Sequence, residues 1–308
     1  MNQNLEWVYY KIYFPEEKYI DYFVENIMSK LYKELKSNEK VQKWFFIKFI
    51  DETGNHIRLR LQVYNEDLDF VCNYIEEDLE KKLPEVLEVN ITTKERILPL
   101  EDVENSSGLN DCFYELDIYE PEIEKYGGSI GVTYAEDIFE ISSNLTLDFM
   151  HYINKDRIDR YTIGLLTMAE FMNTCLEQNK VSSFLMNYIS YWIGANYSDK
   201  GLMYRDSFLK AGQKRIETTK LIKDSLPEVL IRKIEEFAKD INKVVERVIS
   251  DQKVPQPIEE LCFHYIHMMN NRLGIWPVEE AYLAALLKPL YDEESGRLFK
   301  GEELISNE

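Results

Sequence analysis

Residues 7 to 14 read WVYYKIYF, an aromatic and β-branched run that stops at Pro15, and it predicts a strand. In the following EEKYIDYFVENIMSKLYKELK, the residues Tyr19, Tyr22, Phe23, Ile27, Leu31 and Leu35 recur every three or four positions. That spacing puts one apolar face on a helix. KWFFIKFID (43 to 51) and HIRLRLQVY (56 to 64) read as strands. The Glu52-Thr53-Gly54-Asn55 between them supplies the positive φ that a hairpin turn requires. Alternation in the second strand puts His56, Arg58 and Arg60 on one face and Ile57, Leu59 and Leu61 on the other. A second amphipathic helix is expected at about 66 to 82, ending near Leu83-Pro84, and a further strand at 112 to 119 (CFYELDIY).

The order β-α-β-β-α-β predicts a ferredoxin-like lobe, with two helices on one face of an antiparallel sheet and the arginines on the other. After Pro121 the texture changes. Tyr126-Gly127-Gly128 makes a turn, and the pattern from Ala135 to Leu290 is helical, with helices expected at 135–153, 158–178, 180–196, 203–222, 226–250, 256–272 and 277–290. Asp251 to Pro257 reads as a linker, and the polar tail after Asp292 as frayed. The expected fold is α+β and predominantly helical: an α+β lobe over residues 1–130 joined to an all-helical lobe over 131–308 as one module.

Charge narrows the function classes. Against 36 Lys and Arg stand 56 Asp and Glu in 308 residues, a net −20, and no basic run offsets it. A nucleic-acid backbone would be repelled at long range, so direct nucleic-acid binding is excluded. The 15 Phe, 21 Tyr and 4 Trp supply a large core and exclude disorder. Cys72, Cys112, Cys175 and Cys262 form no C-x-x-C pair, which argues against a zinc cluster or a disulfide scaffold and fits a reducing compartment. With no signal-like N-terminus and no apolar stretch of membrane-spanning length, the expectation is a soluble cytoplasmic protein. No metal or cofactor is indicated.

Three clusters carry candidate chemistry. In His56-Ile57-Arg58-Leu59-Arg60 two guanidiniums project to the same side, roughly 7 Å apart along the strand, a spacing that suits bidentate capture of a carboxylate. The alternative is a solvated sheet face balanced by the chain's many carboxylates. Tyr119-Glu120-Pro121-Glu122-Ile123-Glu124-Lys125-Tyr126-Gly127-Gly128 joins carboxylates to a lysine, and reads either as a substrate-orienting loop or as an exposed charged turn. In Cys262-Phe263-His264-Tyr265-Ile266-His267-Met268-Met269-Asn270-Asn271-Arg272-Leu273-Gly274, His267 and Asn271 stack at i,i+4 beside Arg272. The H-x-x-H spacing lacks the further ligands of a zinc site, and a satisfied core or cap histidine is the plainer reading.

Taken in order, these pieces resemble the C-terminal elimination domain of class I lantibiotic dehydratases, a module shared with thiopeptide maturation proteins. The match runs through Trp7-Val8-Tyr9-Tyr10-Lys11, Trp44-Phe45-Phe46-Ile47, His56 to Arg60, Tyr119-Glu120-Pro121-Glu122, Tyr126-Gly127-Gly128 and His267 with Asn271 to Gly274. The resemblance implies elimination of glutamate from glutamylated Ser or Thr of a precursor peptide, leaving dehydroalanine or dehydrobutyrine. The chain would be the stand-alone half of a split dehydratase. Its implied partners are the leader and core of that peptide and a separate tRNA-dependent glutamylation subunit; a dimer is compatible with this plan.

By the same resemblance Arg58 and Arg60 bind the glutamyl carboxylate, Glu122 positions an arginine or the substrate, and His267 transfers protons. Lys125, Arg272, His56 and Asn271 bind substrate. Lys125 stands where the family pattern has an arginine, and lysine keeps the charge without the fork. Thiopeptide pyridine synthases, which join two dehydroalanines by a formal [4+2] cycloaddition and release the leader, share the resemblance. A non-catalytic peptide-binding adaptor is the remaining class.

Overall fold

The computed structural model describes residues 4–93, 95–98 and 109–292. Strands β1 (Leu5–Phe14), β2 (Lys43–Ile50), β3 (Asn55–Tyr64) and β4 (Phe113–Asp117) form an antiparallel sheet in the order β2-β3-β1-β4. The β2-β3 hairpin turns at Gly54, whose φ of 145° few other residues adopt. Register sorts the side chains. On β1, Tyr9, Lys11 and Tyr13 lie opposite Arg60, Arg58 and His56, and on β2 the same three face Phe45, Ile47 and Phe49. Directly opposed residues share a face, so the basic residues of β3 sit in one aromatic-rich row system.

The other face carries Val8, Tyr10, Ile12, Phe14, Trp44, Phe46, Leu59 and Leu61, all buried. Helices α1 (Lys18–Phe23), α2 (Ser29–Ser37) and α3 (Leu68–Glu88) pack there. Phe23 meets Phe14 at 5.2 Å, Tyr32 stacks on Trp44 at 4.1 Å, and the Tyr10 hydroxyl donates to Glu76 Oε1 at 2.9 Å. Each such side chain is worth about 1.5–3 kcal/mol of apolar burial.

Three local expectations change. The helix predicted from residue 16 passes through a π-turn at Val24–Met28 between α1 and α2. The turn lets Ile20, Phe23 and Val24 share the core with Ile27, Leu31 and Leu35, while Tyr19 and Tyr22 are half-buried. Helix α3 continues through Pro84 to Glu88, because Pro84 and the carbonyl-bearing Glu80 one turn earlier are exposed and water can take the lost bond. Helix α4 (Gly128–Asn154) begins at Gly128, seven residues before Ala135, springing from Gly127 at φ 89°.

By internal packing the chain divides into two units, Met1–Asp159 with Asn271–Gly274, and Arg160–Asn270 with Ile275–Glu308. In the first, the outer edge of β2 is closed by side chains. Ser143 Oγ of α4 accepts from the Phe46 amide at 3.3 Å, and the Asn271 amide accepts from Lys48 N at 2.9 Å and donates to Lys48 O at 2.7 Å. An edge strand otherwise leaves such groups unpaired.

The second unit is helical: α5 (Arg160–Cys175), α6 (Gln178–Trp192), α7 (Asp199–Lys214), α8 (Ile216–Lys220), α9 (Glu228–Ser250), α10 (Ile258–Leu273), whose last residues count with the first unit, and α11 (Pro277–Asp292). The single helix expected over 203–222 is broken at Arg215, which separates α7 from α8. Helix α11 is buried over nearly its whole length and packs against α5, α6, α7 and α8. Among the described residues no helix is long and apolar enough to cross a membrane, and no cluster of His, Cys, Asp and Glu could hold a metal ion.

Candidate functional site

Period-two alternation on β3 sends His56, Arg58 and Arg60 to the face away from α1–α3, where each meets a different environment. Arg60 is 7% exposed. Its Cζ lies 4.5 Å from the Tyr9 ring, 4.9 Å from Tyr119 and 5.3 Å from Phe45, so three aromatic faces enclose the cation. Trp7 closes the cage from behind, 5.4 Å from Phe45 and 5.2 Å from Tyr119. Among the described residues no carboxylate forms an ion pair with Arg60, and its buried Nε has no hydrogen-bond partner. Burial pulls the guanidinium below its usual pKa, with Arg58 acting in the same direction and Glu122 opposing through space. Three cation–π contacts return about 0.5–2 kcal/mol each, against several kcal/mol for a buried ion without a counter-charge. The two are of comparable size, and among the described residues no carboxylate hydrogen-bonds the cation.

Arg58 stands over Phe49, Cζ to centroid 3.5 Å, and its Nε donates to His56 Nε2 at 3.2 Å. His56 is fully buried and its Nδ1 lies 3.1 Å from Gly54 O. A carbonyl only accepts, so Nδ1 carries the proton and Nε2 offers its lone pair to Arg58. Desolvation holds the His56 pKa below the ordinary value, which keeps that neutral form. His56 is therefore an orienting group for Arg58. Lys11, beside Arg58 in register, is paired instead to Asp117 at 2.5 Å.

Arg272 is a third guanidinium of the first unit. It is fully buried, its Nε donates to Ser143 Oγ at 3.0 Å, and its Cζ lies 5.0 Å from the Phe139 ring. Desolvation pulls its pKa down to about 9, with Tyr126 opposing and Arg60 adding to the depression. Tyr126 feels both Arg60 and Arg272, and its phenol is nevertheless pushed up, chiefly by burial. Tyr119 donates to Glu136 Oε1 at 3.1 Å, and burial raises both groups.

The acidic loop is more exposed. Glu122 pairs with Lys125, Nζ to Oε1 and Oε2 at 3.2 and 3.1 Å, and touches Arg60 electrostatically rather than by a bond. The loop closes where Gly127 and Gly128, at φ 89° and 85°, turn the chain into α4. Asn271 is committed to the β2 backbone, as described above.

His267 belongs to the second unit. Its Nδ1 is 2.9 Å from Glu280 Oε1, its ring is tilted against Trp192 at 4.4 Å, and Glu280 Oε2 accepts from the Tyr188 hydroxyl. Glu280 is wholly buried, and its basic partner among the described residues is this histidine.

The first unit thus gathers Arg58, Arg60, Arg272 and His56 about one sheet face, with Glu122 and Lys125 at its rim. The residues that build the cage, Tyr9, Phe45 and Tyr119, lie within the motifs of the resemblance but carry no role there, and Ser143, Glu136, Glu280 and Tyr188 carry none either. Alternation could have paired Tyr9 and Phe45 with Arg60 once the register was known; nothing local marks Ser143, Glu136, Glu280 or Tyr188.

The sequence matches the family described as lantibiotic biosynthesis dehydratase, C-terminal, over residues 7–291. No curated protein matches it. Among solved structures, the tRNA-dependent lantibiotic dehydratase MibB from Microbispora sp. 107891 superposes with TM-score 0.62 at 16% identity, over 93% of this chain and 28% of that one. The pyridine synthase TbtD from thiomuracin biosynthesis gives 0.62 at 13%, over 93% and 96%. TsrL gives 0.60 at 13%, over 96% and 98%. At these identities the likeness is one of fold, and the chain spans little more than a quarter of MibB.

Proposed function

The chain belongs to the lantibiotic dehydratase C-terminal family, and from that premise we propose that it eliminates glutamate from glutamylated Ser or Thr of a precursor peptide. The observation that carries this reading is Arg60, a buried cation left without a carboxylate in a chain with 56 Asp and Glu against 36 Lys and Arg. Where acidic groups are in such excess, an arginine enclosed by aromatic rings and kept from all of them is suited to an anion that arrives from outside. The glutamyl group is such an anion.

The reaction breaks the Cα–H and Cβ–O bonds. The Cα–H pair becomes the Cα=Cβ bond, the proton passes to a base, and glutamate leaves with the Cβ–O pair as a carboxylate. Arg60 and Arg58 bind and neutralise that carboxylate, His56 holds Arg58 in place, and Arg272 adds to the positive field. His267 is the proton-transfer group, and Glu122 with Lys125 engages the peptide at the rim. The strand order β2-β3-β1-β4 supports a ferredoxin-like reading of the sheet and its helices. The working partners in this reading are the precursor peptide and a separate glutamylating subunit.

A second reading is pyridine formation from two dehydroalanines. The observation favouring it is Lys125, whose ammonium is paired to Glu122 on an exposed turn and lacks the bidentate fork of the arginine expected there. One assay separates the two. The protein is incubated with a glutamylated linear peptide and, separately, with a peptide bearing two dehydroalanines. Loss of glutamate mass supports elimination; loss of water with leader release supports cycloaddition, and neither product from a folded protein leaves the adaptor role.

A further inference from the structure

Glu280 is a carboxylate with no exposure, met by Tyr188 from α6 and His267 from α10. A carboxylate accepts and does not donate, so the 2.9 Å contact to His267 requires the proton on Nδ1. The imidazole plane is held against Trp192 at 4.4 Å, and the side chain is 24% exposed. Among the described residues nothing hydrogen-bonds Nε2. With the proton on Nδ1, the lone pair of the neutral ring lies on Nε2, while the carboxyl group of Glu280 stands against the other nitrogen.

We propose that Glu280 is a positioning residue for His267: it fixes the Nδ1–H tautomer so that Nε2 accepts the substrate proton, and it stabilises the imidazolium that results, with Tyr188 orienting the carboxylate. This rests on the reading of His267 as the proton-transfer group. Nε2 takes the Cα proton as the Cα–H bond breaks, the Cα–H electrons form the double bond, and the glutamyl carboxylate departs. Before the transfer, the Tyr188 hydroxyl and the His267 N–H share the burden of satisfying Glu280; after it, Glu280 faces a full cation. Burial and the adjacent carboxylate push the Tyr188 phenol well above its usual pKa, so it stays a donor throughout.

Glu280→Gln keeps the shape and removes the charge, and its amide can donate to Nδ1 and so favour the wrong tautomer. Ring-nitrogen NMR of the full chain at neutral pH is expected to show Nδ1–H for His267 in the wild type and in Tyr188→Phe, and Nε2–H in Glu280→Gln. With glutamylated peptide as substrate, Glu280→Gln is expected to lower kcat roughly 10²–10⁴-fold at unchanged KM, Tyr188→Phe less than about tenfold, and Glu280→Asp to restore most of the loss. An Nε2–H ring in the wild type overturns the proposal whether or not any variant folds. So does a Glu280→Gln enzyme with full kcat, or a Glu280→Gln ring still protonated at Nδ1. Should the wild type release no glutamate at all, the elimination reading fails, and the NMR comparison still decides whether Glu280 sets the tautomer.

Discussion

Replacing Arg60 by Met tests whether the caged guanidinium serves the fold or an anion. In the folded protein the substitution removes three cation–π contacts, at 4.5, 4.9 and 5.3 Å, a loss of about 1.5–6 kcal/mol at roughly 0.5–2 kcal/mol each. It also removes the penalty of a buried ion without a counter-charge, several kcal/mol, and leaves an unbranched apolar chain whose burial replaces that of the arginine's own methylene stem. The loss and the relief are of similar size and opposite sign, so the variant is expected to lie within about 2 kcal/mol of the wild type in stability. Catalysis moves the other way. A bidentate guanidinium–carboxylate pair contributes about 3–4 kcal/mol, so glutamate release should slow by roughly 10²–10³-fold at about 1.4 kcal/mol per decade. Glutamate loss is followed by mass spectrometry at peptide concentrations below KM, and stability by urea titration. A variant that eliminates at the wild-type rate while losing more than about 2 kcal/mol of stability would refute the argument, since Arg60 would then be a structural cation.

Asn271→Ala removes both bonds to the Lys48 backbone, at 2.9 and 2.7 Å, and is expected to cost about 2–3 kcal/mol in urea titration. A stability change below about 0.5 kcal/mol together with slower elimination would return Asn271 to a substrate contact. Glu170 in α5 is pushed up from 4.5 to about 7 by burial. Its folded pKa exceeds the unfolded one, so its contribution is complete below pH 4.5 and is lost as pH rises through 7, up to about 3 kcal/mol. Glu170→Gln should flatten stability between pH 5 and 8, and a wild-type melting temperature that does not fall across that range speaks against the shift.

The alternation that puts Arg58 and Arg60 on one face, the Gly54 hairpin and the helical periods after Ala135 were legible because each is a local property: side-chain direction follows backbone geometry over two or four residues. The interruption of the first long helix by a π-turn and the passage of α3 through Pro84 were not, since packing and solvent exposure, rather than propensity, decide them. The candidate site divides the same way. Sequence spacing put Arg58, Arg60 and His56 on one strand face, and the family resemblance made them and Arg272 candidates for the site. Tertiary structure decided that Arg60 is caged by Tyr9, Phe45 and the distant Tyr119, that His56 orients Arg58, that Asn271 binds the edge of β2, and that Glu280 stands behind His267. A chain with net charge −20 could have neutralised every arginine. Whether a carboxylate reaches a guanidinium depends on strand register and on how helices close over the sheet, contacts between residues far apart in sequence that no local pattern encodes.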